Sequence, residues 1–216
     1  TVLGAAPAGA SVTGAGVTGS RGDASVVYVS LAEGEIPTGT SASIQNRRTR
    51  ITITTPMVAG GFDPVAVEAS AGDTLEIGVA LVGASSPLSF LVRVPATAPP
   101  IVVRTEPSDG KRDVPLNARI VIVFSEPIDP ATLTGTTVQL KRGLTGVAGT
   151  VNVVDAVQLT AEFVPDEPLA PETDYEFVIT QGVKDLDGDA LKARVTVDFV
   201  TQSNDSSLAV IYERKS

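Results

Sequence analysis

Alternation of apolar and polar positions runs through most of this 216-residue chain. It is sharpest at residues 119–130, RIVIVFSEPIDP, where Ile120, Ile122 and Phe124 alternate with Val121 and Val123. A run so rich in β-branched residues fits a pleated, mostly buried surface, and it predicts a central strand. Pro127 and Pro130, with Asp129 between them, end the pairing, because proline brings no N–H to a ladder. The same two-residue period predicts strands over 24–30, 41–46, 50–55, 65–69, 74–82 and 88–94, with an edge strand at 10–13. Beyond residue 100 it predicts strands at 101–104, 136–141, 147–154, 158–164, 175–181 and 194–201. Gly- and Pro-bearing stretches at 34–39, 60–64, 71–73 and 106–110 read as turns. No window holds an apolar stripe of 3.6-residue period, so almost no helix is expected.

Pro95 to Pro100, PATAPP, favours extended geometry and makes a short, semi-rigid spacer. It divides the expectation in two. Residues 1–98 form a β-sandwich with a Gly/Ala/Ser-rich leader, and 99–202 form a second one. Seven strands in the second part fit a Greek-key, Ig-like sandwich. The fold class expected is therefore all-β, two sandwiches in tandem. Residues 203–216 read as a linker or the start of a following segment, because a polar stretch gives way to the strand-like SLAVIY. The start at Thr1 and this tail mark the chain as an expected piece of a longer protein.

Composition narrows the chemistry. Aromatics are 4% and Trp is absent, so Val, Ile, Leu and Ala must build the core. The net charge is -9, with five basic and seven acidic groups before residue 101 and eleven and eighteen after it. An acidic chain without long basic runs is a poor partner for nucleic acid. No apolar run approaches the ~20 residues of a membrane span, so no membrane insertion is expected. With Cys 0 and His 0 there are no disulfides, thiol nucleophiles, Ser-His-Asp triads, or zinc sites built from those residues. An enzyme would have to work with carboxylates, Lys, Tyr or a bound cation, and no enzymatic activity is expected.

Leu169, Pro171, Thr173 and Tyr175 spell L-x-P-x-T-x-Y. The spacing resembles the tyrosine corner of Greek-key sandwiches, in which the hydroxyl bonds to backbone a few residues upstream. Pro171 stiffens the crossover, Leu169 plugs the core edge, and Tyr175, Phe177 and Ile179 point inward. With Pro107, Asp109-Gly110, Val114-Pro115, Phe124-Ser125, Asp129, Phe163, Pro165, Gly182-Val183, Asp185, Gly188, Phe199 and Thr201, residues 99–201 resemble the bacterial Ig-like domain family of S-layer and other surface proteins. That resemblance implies a non-catalytic structural or spacer module, extracellular or at the cell surface. Its partners would be neighbouring domains, and a contribution to adhesion is compatible with it. Through Asn46, Thr49, Gly60, Phe62, Ala71, Gly72, Asp73 and Leu75, residues 24–95 resemble carboxypeptidase regulatory-like and other bacterial Ig-like modules. The alternative is a carbohydrate- or protein-binding accessory region beside an extracellular enzyme, with Tyr28 and Phe62 as the rings available to stack on a glycan.

Asp185, Asp187 and Asp189 are the densest carboxylates, at alternate positions, and could offer hard oxygens to Ca²⁺. Gly188 stands at position four of that run rather than six, and no bidentate Glu follows at EF-hand distance. The preferred reading is a tight turn with Gly188 at positive φ, and at most one weak Ca²⁺ site with no other cofactor. Arg21-Gly22-Asp23 matches a short integrin-type tripeptide and reads as chance in the leader. Arg47, Arg48 and Arg50 form a basic cluster, read as a solvated hairpin tip in preference to a site for acidic glycans. The carboxylate pairs Glu33/Glu35 and Asp166/Glu167 lack an aromatic platform and read as surface charge, not as a glycosidase pair.

Overall fold

The computed structural model describes residues 3–7, 10–12 and 26–203. Arg21-Gly22-Asp23, the start of the strand expected at 24–30, and the SLAVIY segment lie outside the described residues. The chain is all-β. Its first part contains β1 (Leu3–Gly4), β2 (Ala10–Val12), β3 (Val26–Leu31), β4 (Gly39–Asn46), β5 (Thr52–Pro56), β6 (Phe62–Glu68), β7 (Thr74–Leu81) and β8 (Leu88–Arg93). Its second contains β9 (Val102–Glu106), β10 (Lys111–Val114), β11 (Ile120–Phe124), β12 (Val138–Arg142), β13 (Thr145–Val147), β14 (Gly149–Val153), β15 (Thr160–Pro165), β16 (Asp174–Ile179) and β17 (Val195–Thr201). One 3₁₀ turn, Pro130–Thr132, follows β11 and is capped by Asp129, whose side chain accepts the Ala131 N–H.

Four sheets make two sandwiches. In the first, the sheet β1-β8-β7-β4-β5 faces β2-β3-β6. Strand alternation supplies the core: Ala42 and Ile44 of β4 and Leu75, Ile77 and Val79 of β7 meet Val27, Val29 and Leu31 of β3 and Val67 of β6. Ser41, Ser43 and Gln45 take the other face of β4. In the second sandwich, β14-β15-β11-β9 faces β10-β17-β16-β12-β13. Ile120, Ile122 and Phe124 of β11 pack with Phe163, Phe177 and Phe199 in one continuous core. Phe163 and Phe177 sit 5.9 Å apart and tilted, and Tyr175 stacks on Phe199 at 5.5 Å. Such paired rings add contact beyond their buried area, which matters in a chain this poor in aromatics.

Both sandwiches divide their opening segment between two sheets and pair part of it parallel to their last strand. β1 lies parallel to β8 and β2 antiparallel to β3. β9 lies antiparallel to β11 and β10 parallel to β17. The start of each sandwich is thereby tied to its end.

Three expectations need correction. Residues 147–154 were expected as one strand but form parts of two, β13 and β14, in opposite sheets. Ala148 is the crossing point, and Gly149 allows it: a Cβ there would stand 2.5 Å from the Phe163 ring and 2.6 Å from the Val164 carbonyl. That split and β10 raise the strand number of the second sandwich from the expected seven to nine. Residues 60–64 were expected as a turn, yet Phe62, Asp63 and Pro64 open β6. Pro64 is tolerated because β6 is the edge of its sheet, where a missing N–H can face away from the ladder. Finally, β5 begins at Thr52 rather than Arg50, which has φ 63 and closes the hairpin turn.

Candidate functional site

β11 leaves its sheet at Phe124, and the next five residues are held from three sides. Ser125 and Ile101 exchange two bonds: the Ser125 N–H donates to the Ile101 carbonyl at 2.9 Å, and the Ile101 N–H donates to Ser125 Oγ at 3.0 Å. The Ile128 N–H donates to the Gln158 carbonyl at 3.0 Å, and the Asp129 N–H to the Lys184 carbonyl at 2.9 Å. Ile128 also forms an antiparallel bridge with Asp185. Thr132 Oγ1 accepts the Lys184 N–H at 3.0 Å. Glu126 is therefore placed beside the loop that carries Asp185, Asp187 and Asp189.

Asp185 organises that loop. Its Oδ1 accepts the N–H of Asp187 at 2.9 Å and of Asp189 at 2.8 Å. The backbone adds Asp185 N–H to the Asp189 carbonyl at 3.0 Å and Gly188 N–H to the Asp185 carbonyl at 3.2 Å. Gly188 has φ 92, a conformation that favours glycine. Asp185 is 4% exposed, while Asp187 is exposed and Asp189 half-buried. Burial pushes the Asp185 carboxyl up, and the N–H donors of Asp189 and Asp187 pull it back. Among the described residues no three carboxylates converge closely enough to cage a metal in this arrangement.

Glu126 escaped the reading of the sequence. It is 7% exposed and its Oε1 has no hydrogen-bond partner. Burial, with the charges of Asp185, Asp187 and Asp189 adding, pushes its carboxyl up to about 8. The available signal was its place in FSEP: a charged residue two positions after a fully apolar strand and directly before a proline has little room to turn to solvent.

Tyr175 is the second residue of β16 and is buried. Its hydroxyl accepts the Ala170 N–H at 2.8 Å, and Leu169 and Phe124 are buried in the same core. The Pro171 carbonyl accepts the Thr173 hydroxyl at 2.7 Å.

The arginine cluster of the first sandwich is not one unit. Arg48 donates to Asp73 through Nε at 2.7 Å and through a terminal nitrogen at 2.9 Å, whereas Arg47 stands 4.0 Å from Glu76. Asn46 Nδ2 donates to Asp73 Oδ2 at 2.9 Å and the Ser70 N–H to the same oxygen at 3.0 Å. The Arg48 guanidinium holds the Asp73 carboxyl well below the usual carboxylate range, against the cost of burial. This constellation locks the β4–β5 hairpin to the turn before β7. Phe62, expected as a ring available for stacking, is 4% exposed and belongs to the core. Asp166 and Glu167 are exposed.

Residues 96–201 match the model of the family described as "Bacterial Ig-like domain". No curated protein matches the sequence. Among solved structures the chain is similar to the N-terminal part of the bacterial S-layer protein SbsC, at 21% identity and a TM-score of 0.37, over 49% of this chain and 24% of that one. It is also similar to the BSP domain of a biofilm associated protein, at 17% identity and a TM-score of 0.38, over 84% of this chain and 28% of that one. The chain thus spans about a quarter of the length of these two structures, 24% and 28%. The family match falls on the second sandwich, with its own core and its β10–β17 closure, and residues 96–201 are a bacterial Ig-like domain.

Proposed function

We propose that the chain is a non-catalytic spacer segment of a larger bacterial protein that is secreted or held at the cell surface. Its two sandwiches, at 1–98 and 99–202, would hold neighbouring domains of the same polypeptide apart, with 203–216 leading onward. The family match supports a module of that kind. The observation that carries the mechanical part is the junction. Lys192 N–H donates to the Pro100 carbonyl at 2.9 Å, and Ile101 exchanges two bonds with Ser125, so the linker is anchored to the second sandwich at once. The first sandwich reaches it through Glu33 N–H to the Val103 carbonyl at 3.1 Å and through Asp63 to Arg104. A junction bonded on both sides passes load between modules instead of absorbing it. The glycan-binding alternative loses one of its two stacking rings with the burial of Phe62.

Stretching the chain from its two ends in a single-molecule force experiment tests this reading. Two separate unfolding events are expected, each releasing roughly 35 nm for ~100 residues extended at about 3.5 Å each. A single event releasing the whole length would overturn the tandem arrangement. A separate polypeptide spanning 99–202 should give dispersed amide NMR signals, and a collapsed spectrum would overturn that boundary.

A further inference from the structure

Glu126 and the 185–189 loop raise a question that a spacer role does not answer: what a buried carboxyl without a hydrogen-bond partner does beside three more carboxyls. Four carboxylates lie on two segments far apart in sequence, which the Ile128–Asp185 bridge and the Asp129–Lys184 bond hold against each other. Among the described residues none of the four is ion-paired with Lys or Arg, since the ion pairs present involve Asp63, Asp73, Glu76, Glu162 and Glu176. Glu126 is nine-tenths buried, its Oε1 has no partner, and the charges acting on it are those of Asp185, Asp187 and Asp189. A buried acceptor with no donor is costly and calls for a ligand.

We propose that Glu126, Asp185, Asp187 and Asp189 bind one Ca²⁺. Glu126 and Asp185 are the fixed half of the site. Asp185 is held by the two N–H groups on its Oδ1, and those bonds leave Oδ2 free of them. Asp187 and Asp189 are the adjustable half: they flank Gly188 at the loop tip, one exposed and one half-buried. The three carboxylates that a cage needs do not converge before binding, so the ion draws in the two outer side chains by rotation about their own bonds. Only oxygen donors are on offer, which selects a hard cation. Ca²⁺ accepts six to eight oxygens in irregular geometry and completes its shell with water, whereas Mg²⁺ demands a near-ideal octahedron that a half-formed site does not provide. The need to move two side chains keeps the affinity in the range of extracellular modules. Bound, the ion would clamp the exit of β11 to the 184–190 loop and so stiffen this end of the second sandwich.

The test is calorimetric titration of the chelator-treated full chain with CaCl₂ at constant ionic strength, paired with amide NMR. One site with a Kd of ~10⁻⁴–10⁻³ M is expected. Amide shifts should be confined to 125–129 and 184–190. Glu126→Gln, nearly isosteric, and Asp187→Asn, at an exposed position, should each weaken binding by roughly tenfold or more. Asp187→Asn leaves the buried part untouched, so its result stands even where Glu126→Gln perturbs folding. No saturable binding up to roughly 20 mM, well above the expected range, would overturn the proposal. So would an unchanged affinity in Asp187→Asn or in a folded Glu126→Gln, or a Mg²⁺ affinity equal to that for Ca²⁺.

Discussion

Asp63 accepts two guanidinium N–H groups of Arg104, at 2.7 and 2.9 Å, across the junction of the two sandwiches. Asp63 opens the edge strand β6 and Arg104 sits in β9, the first strand after the linker. The pair is bidentate, which fixes direction as well as distance. It is also partly solvated, with side-chain exposures of 34% for Arg104 and 52% for Asp63. An ion pair in such a setting contributes only about 0.2–1 kcal/mol. Asp63→Ala should therefore barely change thermal stability while widening the range of angles between the sandwiches. Small-angle scattering and domain-resolved NMR relaxation would read this. Unchanged relative tumbling would mean that the Glu33–Val103 backbone bond alone sets the angle.

Tyr175→Phe removes one acceptor and keeps everything else. The ring still stacks on Phe199 at 5.5 Å, but the Ala170 N–H loses its partner. The crossover keeps a second tether, because Thr201 Oγ1 donates to the Ala170 carbonyl at 2.6 Å and accepts the Thr173 N–H at 2.9 Å. The expected cost is about 0.5–1.5 kcal/mol, read as a lower urea midpoint with an unchanged slope. A midpoint equal to that of the wild type would show that water replaces the hydroxyl at no cost.

Asp73 makes the first sandwich acid-sensitive. Its folded carboxyl lies below its unfolded value because Arg48 and two further donors hold the charged form. The stabilisation is fully present above the unfolded pKa of about 3.9. It is lost as the pH falls through the lower folded value. Asp73→Asn should cost about 1.5 kcal/mol at neutral pH, the low end for a bond to a charged group because Arg48 is 60% exposed. More tellingly, it should flatten the decline of stability below pH 5. Denaturation midpoints of both proteins between about pH 2 and 7 decide this. Parallel curves would remove Asp73 from the acid response.

What the sequence revealed follows the physics of periodicity. β4, β7, β11 and β16 were legible because their inward residues repeat every second position, and burial on one face is what alternation encodes. The change of sheet at Ala148 was not legible. Residues 147–153 keep the same polarity rhythm on both sides, and only the third dimension distinguishes a bend from a straight strand. Pro64 misled for a related reason, since a proline argues against a central strand but not against an edge. At the candidate site, the Asp185 loop stood out through its carboxylates, whereas Glu126 did not. A single Glu carries no pattern until folding brings it to a loop some sixty residues downstream.

Gly61 offers the most direct test of close backbone approach. β3 has a register irregularity between Val29 and Leu31 as it pairs with β6. At that point Gly61 passes directly over the carbonyls of Leu31 and Ala32. A Cβ at Gly61 would meet each of those two oxygens at 2.5 Å. These are backbone atoms at and just past the end of β3, so neither can swing aside as a flexible side chain would. Gly61 does not have a positive φ, so the penalty of Gly61→Ala is steric and not conformational. Overpacking of this kind costs about 1–3 kcal/mol, and the rigid neighbours place Gly61→Ala at the upper end. Gly146→Ala is the matched control. It also lacks a positive φ, has nothing within 4 Å of the added Cβ, and lies in the edge strand β13 of the second sandwich. There, the lost freedom of the unfolded chain should leave stability unchanged or higher by up to about 1 kcal/mol. Amide hydrogen exchange resolved by residue separates the two outcomes. Gly61→Ala should lower protection across β3, β4, β6 and β7 while β11, β15 and β16 keep theirs. Equal loss in both sandwiches would mean that the junction couples them into one cooperative unit.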